Sequence, residues 1–148
     1  MKTLVKIGLN VLLPIIIGGI IYTLFRSETI KLFSWYKYFG LNNIISNLRV
    51  RVSEYIFYIP KWVIFSLPDG LWVYSFTSAL ILFWNNEQSK LIIWLSIPFV
   101  MGIIIEILQG FNFFPGTFDL IDLMLSLIAF YSSIKFLKIK NIKNEYEI

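Results

Sequence analysis

The sequence predicts an all-α integral membrane protein with about four transmembrane helices and an amphipathic helical segment between the first two. Of the 148 residues, 57% are hydrophobic and only 15% are charged, and the mean hydropathy is +0.74. Soluble domains carry about 25% charged residues. A soluble fold of this size would leave roughly a third of its unfolded surface in water, so it could not bury so many apolar side chains. Four stretches also approach the ~20 apolar residues that a spanning helix needs.

The predicted spans lie in a single membrane domain that takes in the whole chain, at about residues 7–25, 67–84, 91–108 and 119–137. The first is too long for a typical signal-peptide core, and Pro14 predicts a kink within it. The second opens with helix-start signals, because Ser66 suits the N-cap, Pro68 the first turn and Asp69 position N3. All four are near the short end of the spanning range, so little of the chain remains outside the bilayer.

The segment from about residue 27 to residue 59 is amphipathic and predicts helices that lie in the membrane interface. Ser27 is expected to cap a first helix that ends at Gly40, and a second helix with apolar residues at spacings of three and four follows it. Residues 55–67 are apolar as well, but Pro60 near their centre argues against a fifth span.

The positive charges do not decide the orientation of the chain. With four spans, seven basic residues fall on the side of the termini and six on the other side, and the positive-inside rule needs a clearer excess. The basic tail at residues 138–148 and the uncharged loop at 110–118 favour cytoplasmic termini. Alanine is scarce while isoleucine, asparagine and lysine are abundant, a composition that favours a bacterial protein and hence the inner membrane. Membrane lipids are the expected partners, and a homo-oligomer is compatible with the sequence.

The residue types that the chain lacks narrow its chemistry. It has no cysteine and no histidine, which excludes disulfides, thiolate nucleophiles, the commonest zinc ligand and the commonest general base. No nucleophile–base constellation is visible, so the sequence predicts no catalytic residue, no metal site and no cofactor, and it favours a non-enzymatic role without deciding it. The basic residues form no patch, which does not support nucleic-acid binding.

Five polar residues are predicted to meet at one face of the membrane. They stand at the start of the second span, the end of the third and the start of the fourth: Asp69, Glu106, Gln109, Asp119 and Asp122. Two crossings separate Asp69 from Glu106, so all five lie on the same side whichever way the chain is oriented. The turn before the last span is short and apolar. These residues form the predicted ligand-binding cluster.

Glu106 has the weakest purely structural explanation in this cluster. The aspartates suit helix starts, with Asp119 as an N-cap and Asp122 behind it, because the helix dipole favours anions there. Glu106 instead lies near the C-terminal end of an apolar helix. Ionisable groups within a membrane are expensive and point to function. Glu106 must therefore be protonated, face a water-filled crevice, or meet a counter-charge from the interfacial segment, where the candidates are Arg49, Arg51 and Lys61.

The same residues resemble a known family. Glu106 and Gln109 form an E-x-x-Q at the end of one span, and Asp122 follows a short turn in the next apolar helix. This pattern resembles the VanZ-like family, small multi-pass bacterial membrane proteins named for a teicoplanin-resistance protein. The family has an Arg in the turn and an Asn after the Asp, whereas this chain has Thr117 and Ser126 there. The likeness covers about a fifth of the chain.

Two functions stay open. The resemblance implies a bacterial envelope protein linked to antibiotic resistance or lipid-related stress, whose acidic cluster would bind a lipid head, a cationic drug or a proton under a lid of interfacial helices. The alternative is a small oligomeric effector or accessory subunit that perturbs the bilayer or anchors a cytoplasmic partner through its basic tail. A pore would need a long polar stripe, which the hydroxyl residues of the predicted spans do not form.

Overall fold

The computed structural model describes residues 2–84, 88–113 and 118–137, and this part of the chain consists of helices and turns without strands. Three helices are long and apolar enough to cross a membrane: Thr3–Phe25, Ile93–Gly110 and Leu120–Leu137. Only 11%, 17% and 11% of the residues in their most apolar windows are buried inside the protein, so most of their apolar side chains face outward. Outward apolar surfaces of this length indicate a membrane protein.

The first long helix is continuous but contains a wide turn. It consists of α1 (Lys2–Ile7), a π-helical turn (Gly8–Leu12) and α2 (Leu13–Phe25). Pro14 has no N–H, and its ring crowds the carbonyl four residues earlier. The irregularity expected at Pro14 takes the form of this π turn directly before it, which widens the backbone where the ring needs room.

The segment between the first two predicted spans folds into short helices: α3 (Lys31–Tyr38), α4 (Asn42–Ser53), a 3-10 turn (Ile56–Tyr58) and α5 (Lys61–Phe65). The longest has 12 residues. At ~1.5 Å per residue it reaches about 18 Å, which is too short to cross a hydrocarbon core of ~30 Å. Pro60 directly precedes α5 in an extended conformation, and it separates the apolar stretch into two pieces.

The predicted end of α3 agrees with the structure, whereas its predicted start does not. Ser27 was expected to cap the helix, and this is wrong: α3 follows Ile30, and the Ser27 hydroxyl lies 2.9 Å from that of Thr29. The other end agrees with the prediction. Gly40 has a φ of 71°, and the N–H of Leu41 donates to the carbonyl of Tyr36 at 2.8 Å. This left-handed glycine closes the helix in the usual way.

Helix α6 (Leu67–Trp84) is the centre of the bundle and packs against α2, α7 (Gln88–Gly110) and α8 (Leu120–Leu137). Its contact with α8 is very close, because a Cβ on Gly70 would stand 3.4 Å from the Cβ of Leu125. Small residues allow such close approach between membrane helices. Helix α6 coincides with the second predicted span and has 18 residues, but it is not among the three helices that are apolar enough to cross a membrane. Asp69 and its hydroxyl residues reduce its hydropathy, and the count of four spans stays a prediction.

The apolar core lies at the end of the bundle where α6 ends and α7 begins. It contains Leu80 and Ile81 of α6, Leu95 of α7 and Leu137 of α8. Next to it the rings of Trp84 and Trp94 stack with their centroids 5.1 Å apart. The polar ends of α6, α7 and α8 therefore lie together at the opposite end of the bundle.

Candidate functional site

An open crevice of about 910 Å³ lies where α6 and α8 begin and α7 ends. All five residues of the predicted cluster line it: Asp69, Glu106, Gln109, Asp119 and Asp122. Ligand-binding clefts typically have volumes of about 300–1,000 Å³. Residues that the sequence placed only on a common face are thus grouped around one concave space.

Glu106 is the most enclosed acid of the crevice, with 7% of its surface exposed. Its Oε2 accepts a hydrogen bond from the backbone N–H of Asp119 at 3.0 Å. The side chain therefore joins the end of α7 to the residue that precedes α8. The negative charges of Asp122 and Asp69 act on Glu106, and Asp122 is in side-chain contact with it. Neither ion pair formed within the described residues includes Glu106.

Asp119 has the N-cap role that the sequence predicted for it. Its Oδ1 accepts the N–H of Ile121 at 2.9 Å, and its carbonyl accepts the N–H of Asp122 at 3.2 Å. These bonds satisfy donors that an isolated helix start leaves free. The acids do not form a metal cage, because no group of three or more such ligands arranged for an ion occurs in the described ranges.

Asp69 is paired with Arg26, which is not one of the three predicted counter-charges. The Nη2 of Arg26 lies 3.8 Å from Oδ2 of Asp69 and donates to the carbonyl of Phe65 at 2.8 Å. The guanidinium also lies over two rings, 4.9 Å from the centre of Tyr22 and 5.1 Å from that of Phe65. The only sequence signal for it was its position, as the first charged residue after the first span.

The three predicted counter-charges have different positions. Lys61 is exposed and lines the crevice. Arg49 binds elsewhere, because it donates to the carbonyls of Thr23 at 2.7 Å and Arg26 at 2.9 Å. It therefore caps the C-terminal end of α2 and ties α4 to it. Arg51 is exposed on α4 and does not line the crevice.

The N-cap predicted at Ser66 is wrong. Ser66 has φ −104° and ψ −35°, so the chain passes from α5 into α6 with helical dihedrals. An N-cap needs an extended residue whose side chain can turn back to the first free N–H groups. Instead, the side chain of Ser66 is buried at 1% exposure beside the crevice, and its Oγ has no hydrogen-bond partner within the described residues.

The hydroxyl residues of α6 and α8 are inside the helix packing. Ser75, Thr77, Ser78 and Ser133 have no exposed surface. Ser75 donates to the carbonyl of Val11 at 2.8 Å, so it serves the contact between α6 and the π turn. Ser133 donates to the carbonyl of Phe130 in its own helix at 2.8 Å. Because all four hydroxyls are enclosed, the structure gives no support to a pore lined by them.

Over the described residues, the fold and the crevice define a helical protein of the membrane class with a polar cleft at one end of its bundle. Two features of the sequence analysis lie outside the described residues: Thr117, at the position where the VanZ-like pattern has an arginine, and the basic tail at 138–148. Comparison of the chain with known protein families, curated proteins and solved structures finds no match.

Proposed function

We propose that this chain is a multi-pass protein of the bacterial cytoplasmic membrane that binds a cationic group in the crevice. The observation that carries the proposal is the placement of Glu106, which is 7% exposed and in contact with Asp122. Two like charges 4 Å apart repel by about 4 kcal/mol at an effective dielectric constant of ~20. A bound cation would offset this repulsion.

The VanZ-like resemblance supports the same residues. Glu106, Gln109 and Asp122 match three elements of the family pattern, and they line one crevice. The family's arginine in the turn is absent from the sequence, but Arg26 brings a guanidinium to the crevice from another part of the chain. We therefore extend the proposal to the role that the resemblance implies. The chain would act in the bacterial envelope, in the response to glycopeptide antibiotics or to lipid-related stress.

In this proposal α6 also crosses the membrane, as the second of four spans, and its neighbours shield it from lipid. The termini are cytoplasmic. The chain has no cysteine, so single cysteines can be introduced for accessibility labelling with no background. The substitutions Thr3→Cys, Asn112→Cys and Asn144→Cys separate the topologies. With four spans, position 3 labels from the same side as position 144. If α6 does not cross, position 3 labels together with position 112.

Cation binding is tested on the purified protein in a non-ionic detergent with hexylammonium as the ligand and hexanol as the uncharged control. Trp62 and Trp72 line the crevice, so tryptophan fluorescence reports occupancy. We expect saturable binding of hexylammonium only, weakened at least about tenfold when Glu106→Gln and Asp122→Asn are combined. Glu54→Gln removes an exposed acid outside the crevice and is the matched control. Equal binding by all three proteins would disprove the proposal.

The envelope role is tested in a teicoplanin-sensitive bacterium that expresses the chain. We expect protection by the wild-type protein and by Glu54→Gln, and loss of protection in the variant that combines Glu106→Gln with Asp122→Asn. Membrane levels must be matched by immunoblot. Full protection by the double variant at normal level would contradict a role of the acidic cluster in this function.

A further inference from the structure

The crevice has walls of opposite charge. The helices α2 and α5 pack together, and the cations of the crevice are Arg26, the residue directly after α2, and Lys61 of α5. The helices α7 and α8 also pack together, and with the residue before α8 they supply three of its acids: Glu106, Asp119 and Asp122. Helix α6 packs against members of both pairs and contributes Asp69 between them. A ligand that fills this space therefore meets positive charge on one side and negative charge on the other.

Each wall also has a buried polar atom without a protein partner. On the cationic side, Oγ of Ser66 and Nε of Arg26 are buried and make no hydrogen bond within the described residues. Ser66 is 1% exposed, so its hydroxyl is enclosed at the crevice. On the acidic side, Oδ1 of Asp122 is buried and likewise has no partner there. Unpaired buried polar atoms are costly. A ligand that accepts hydrogen bonds at one end and donates them at the other would give all three atoms a partner.

Large apolar side chains stand beside this polar space. Trp62, Phe65 and Trp72 line the crevice and remain exposed. Trp rings favour the boundary between lipid head groups and acyl chains. A ligand with a polar head and attached hydrocarbon chains would place the head between the charged walls and its chains against these rings.

We infer that the crevice takes a phosphate ester of a primary amine, the head-group chemistry of an aminophospholipid. This inference rests on the proposed cation-binding function and names its ligand class. The ammonium donates hydrogen bonds to Asp122 and Glu106. The phosphate accepts hydrogen bonds from Arg26 and Ser66 and is attracted by Lys61. A quaternary ammonium has no N–H, so it would leave Oδ1 of Asp122 unpaired.

Short-chain lipids test the head group on the full-length protein in non-ionic detergent. Dihexanoyl phosphatidylethanolamine, phosphatidylcholine and phosphatidylglycerol are compared by tryptophan fluorescence, with soluble phosphoethanolamine as a head group without chains. We expect the ethanolamine lipid to bind about tenfold more tightly than either other lipid, which corresponds to one charge-assisted hydrogen bond. Weaker binding of soluble phosphoethanolamine assigns the site to a lipid, and equal binding assigns the same chemistry to a soluble ligand.

Two variants test the phosphate contacts without disturbing the acids. Ser66→Ala removes an unpaired hydroxyl, so a purely structural role predicts unchanged or higher thermal stability. We expect it to weaken binding of the ethanolamine lipid about threefold or more and to affect hexylammonium binding less. Lys61→Gln should also weaken lipid binding, whereas Arg51→Gln, an exposed cation outside the crevice, should not.

The outcomes separate this inference from the function on which it rests. Equal binding of the three lipids, with no effect of Ser66→Ala or Lys61→Gln, would overturn the inference even if hexylammonium still bound. The cation-binding function would then survive. Absence of binding for both hexylammonium and the lipids would overturn both. Preference for the ethanolamine lipid that is lost with Asp122→Asn and retained with Glu54→Gln supports the assignment.

Discussion

Two replacements of Glu106 separate what its oxygen does for the fold from what its charge does in the crevice. In the wild type the N–H of Asp119 donates to Oε2 of Glu106 at 3.0 Å. Glu106→Gln keeps an acceptor for this N–H. Glu106→Leu keeps a similar volume and removes the acceptor. A buried N–H without a partner costs about 1–3 kcal/mol. We therefore expect the leucine variant to loosen the start of α8 by this amount and the glutamine variant to leave it unchanged.

Hydrogen–deuterium exchange of the peptide that covers residues 118–124 measures this local opening. A cost of about 1–3 kcal/mol corresponds to exchange that is about 5- to 150-fold faster in the leucine variant than in the wild type. Both variants should bind hexylammonium poorly, because both lack the charge. Equal exchange rates in the two variants would refute the reasoning, since Glu106 would then not be the acceptor that holds the start of α8.

Three further substitutions, two of them with a matched control, test the contacts and the backbone of the helices. Arg49→Met removes two hydrogen bonds to the end of α2 and should lower the free energy of unfolding by about 3 kcal/mol in a denaturant titration, whereas Arg51→Met should change it little. Gly70→Val should cost about 1–3 kcal/mol in the same assay, because its side chain meets α8, while Gly19→Val, with open space around it, should cost less. Gly40→Ala should lower thermal stability by about 1–2 kcal/mol because of its positive φ; an unchanged melting temperature would contradict this.

The acidic cluster could be predicted because it depends only on hydropathy and on the parity of crossings. Asp69 and Glu106 are separated by two apolar helices, so they return to the same end of the bundle whatever the details of packing. The N-cap at Asp119 is equally local, since its side chain reaches an N–H only two residues away.

The remaining features depend on contacts that are distant in the sequence. Arg26 reaches Asp69 because α6 packs against α2, and nothing in the residues next to Arg26 encodes that contact. Arg49 is an interfacial cation by composition, but its partners are carbonyls more than 20 residues earlier. Ser66 failed as a cap because α5 continues into α6, and this overrides the local preference of Ser-Leu-Pro-Asp.

The meeting of the polar helix ends is tested most directly by a disulfide between α6 and α8. Gly70 follows Asp69, and Leu125 lies one turn after Asp122. A Cβ on Gly70 would stand 3.4 Å from that of Leu125, close to the ~3.5–4.5 Å of natural disulfides. In a chain without other cysteines, Gly70→Cys combined with Leu125→Cys should cross-link on mild oxidation. Phe83→Cys combined with Leu125→Cys, at the far end of α6, should not. Failure of the first pair to cross-link, or equal cross-linking of both pairs, would contradict the crevice that these helices form.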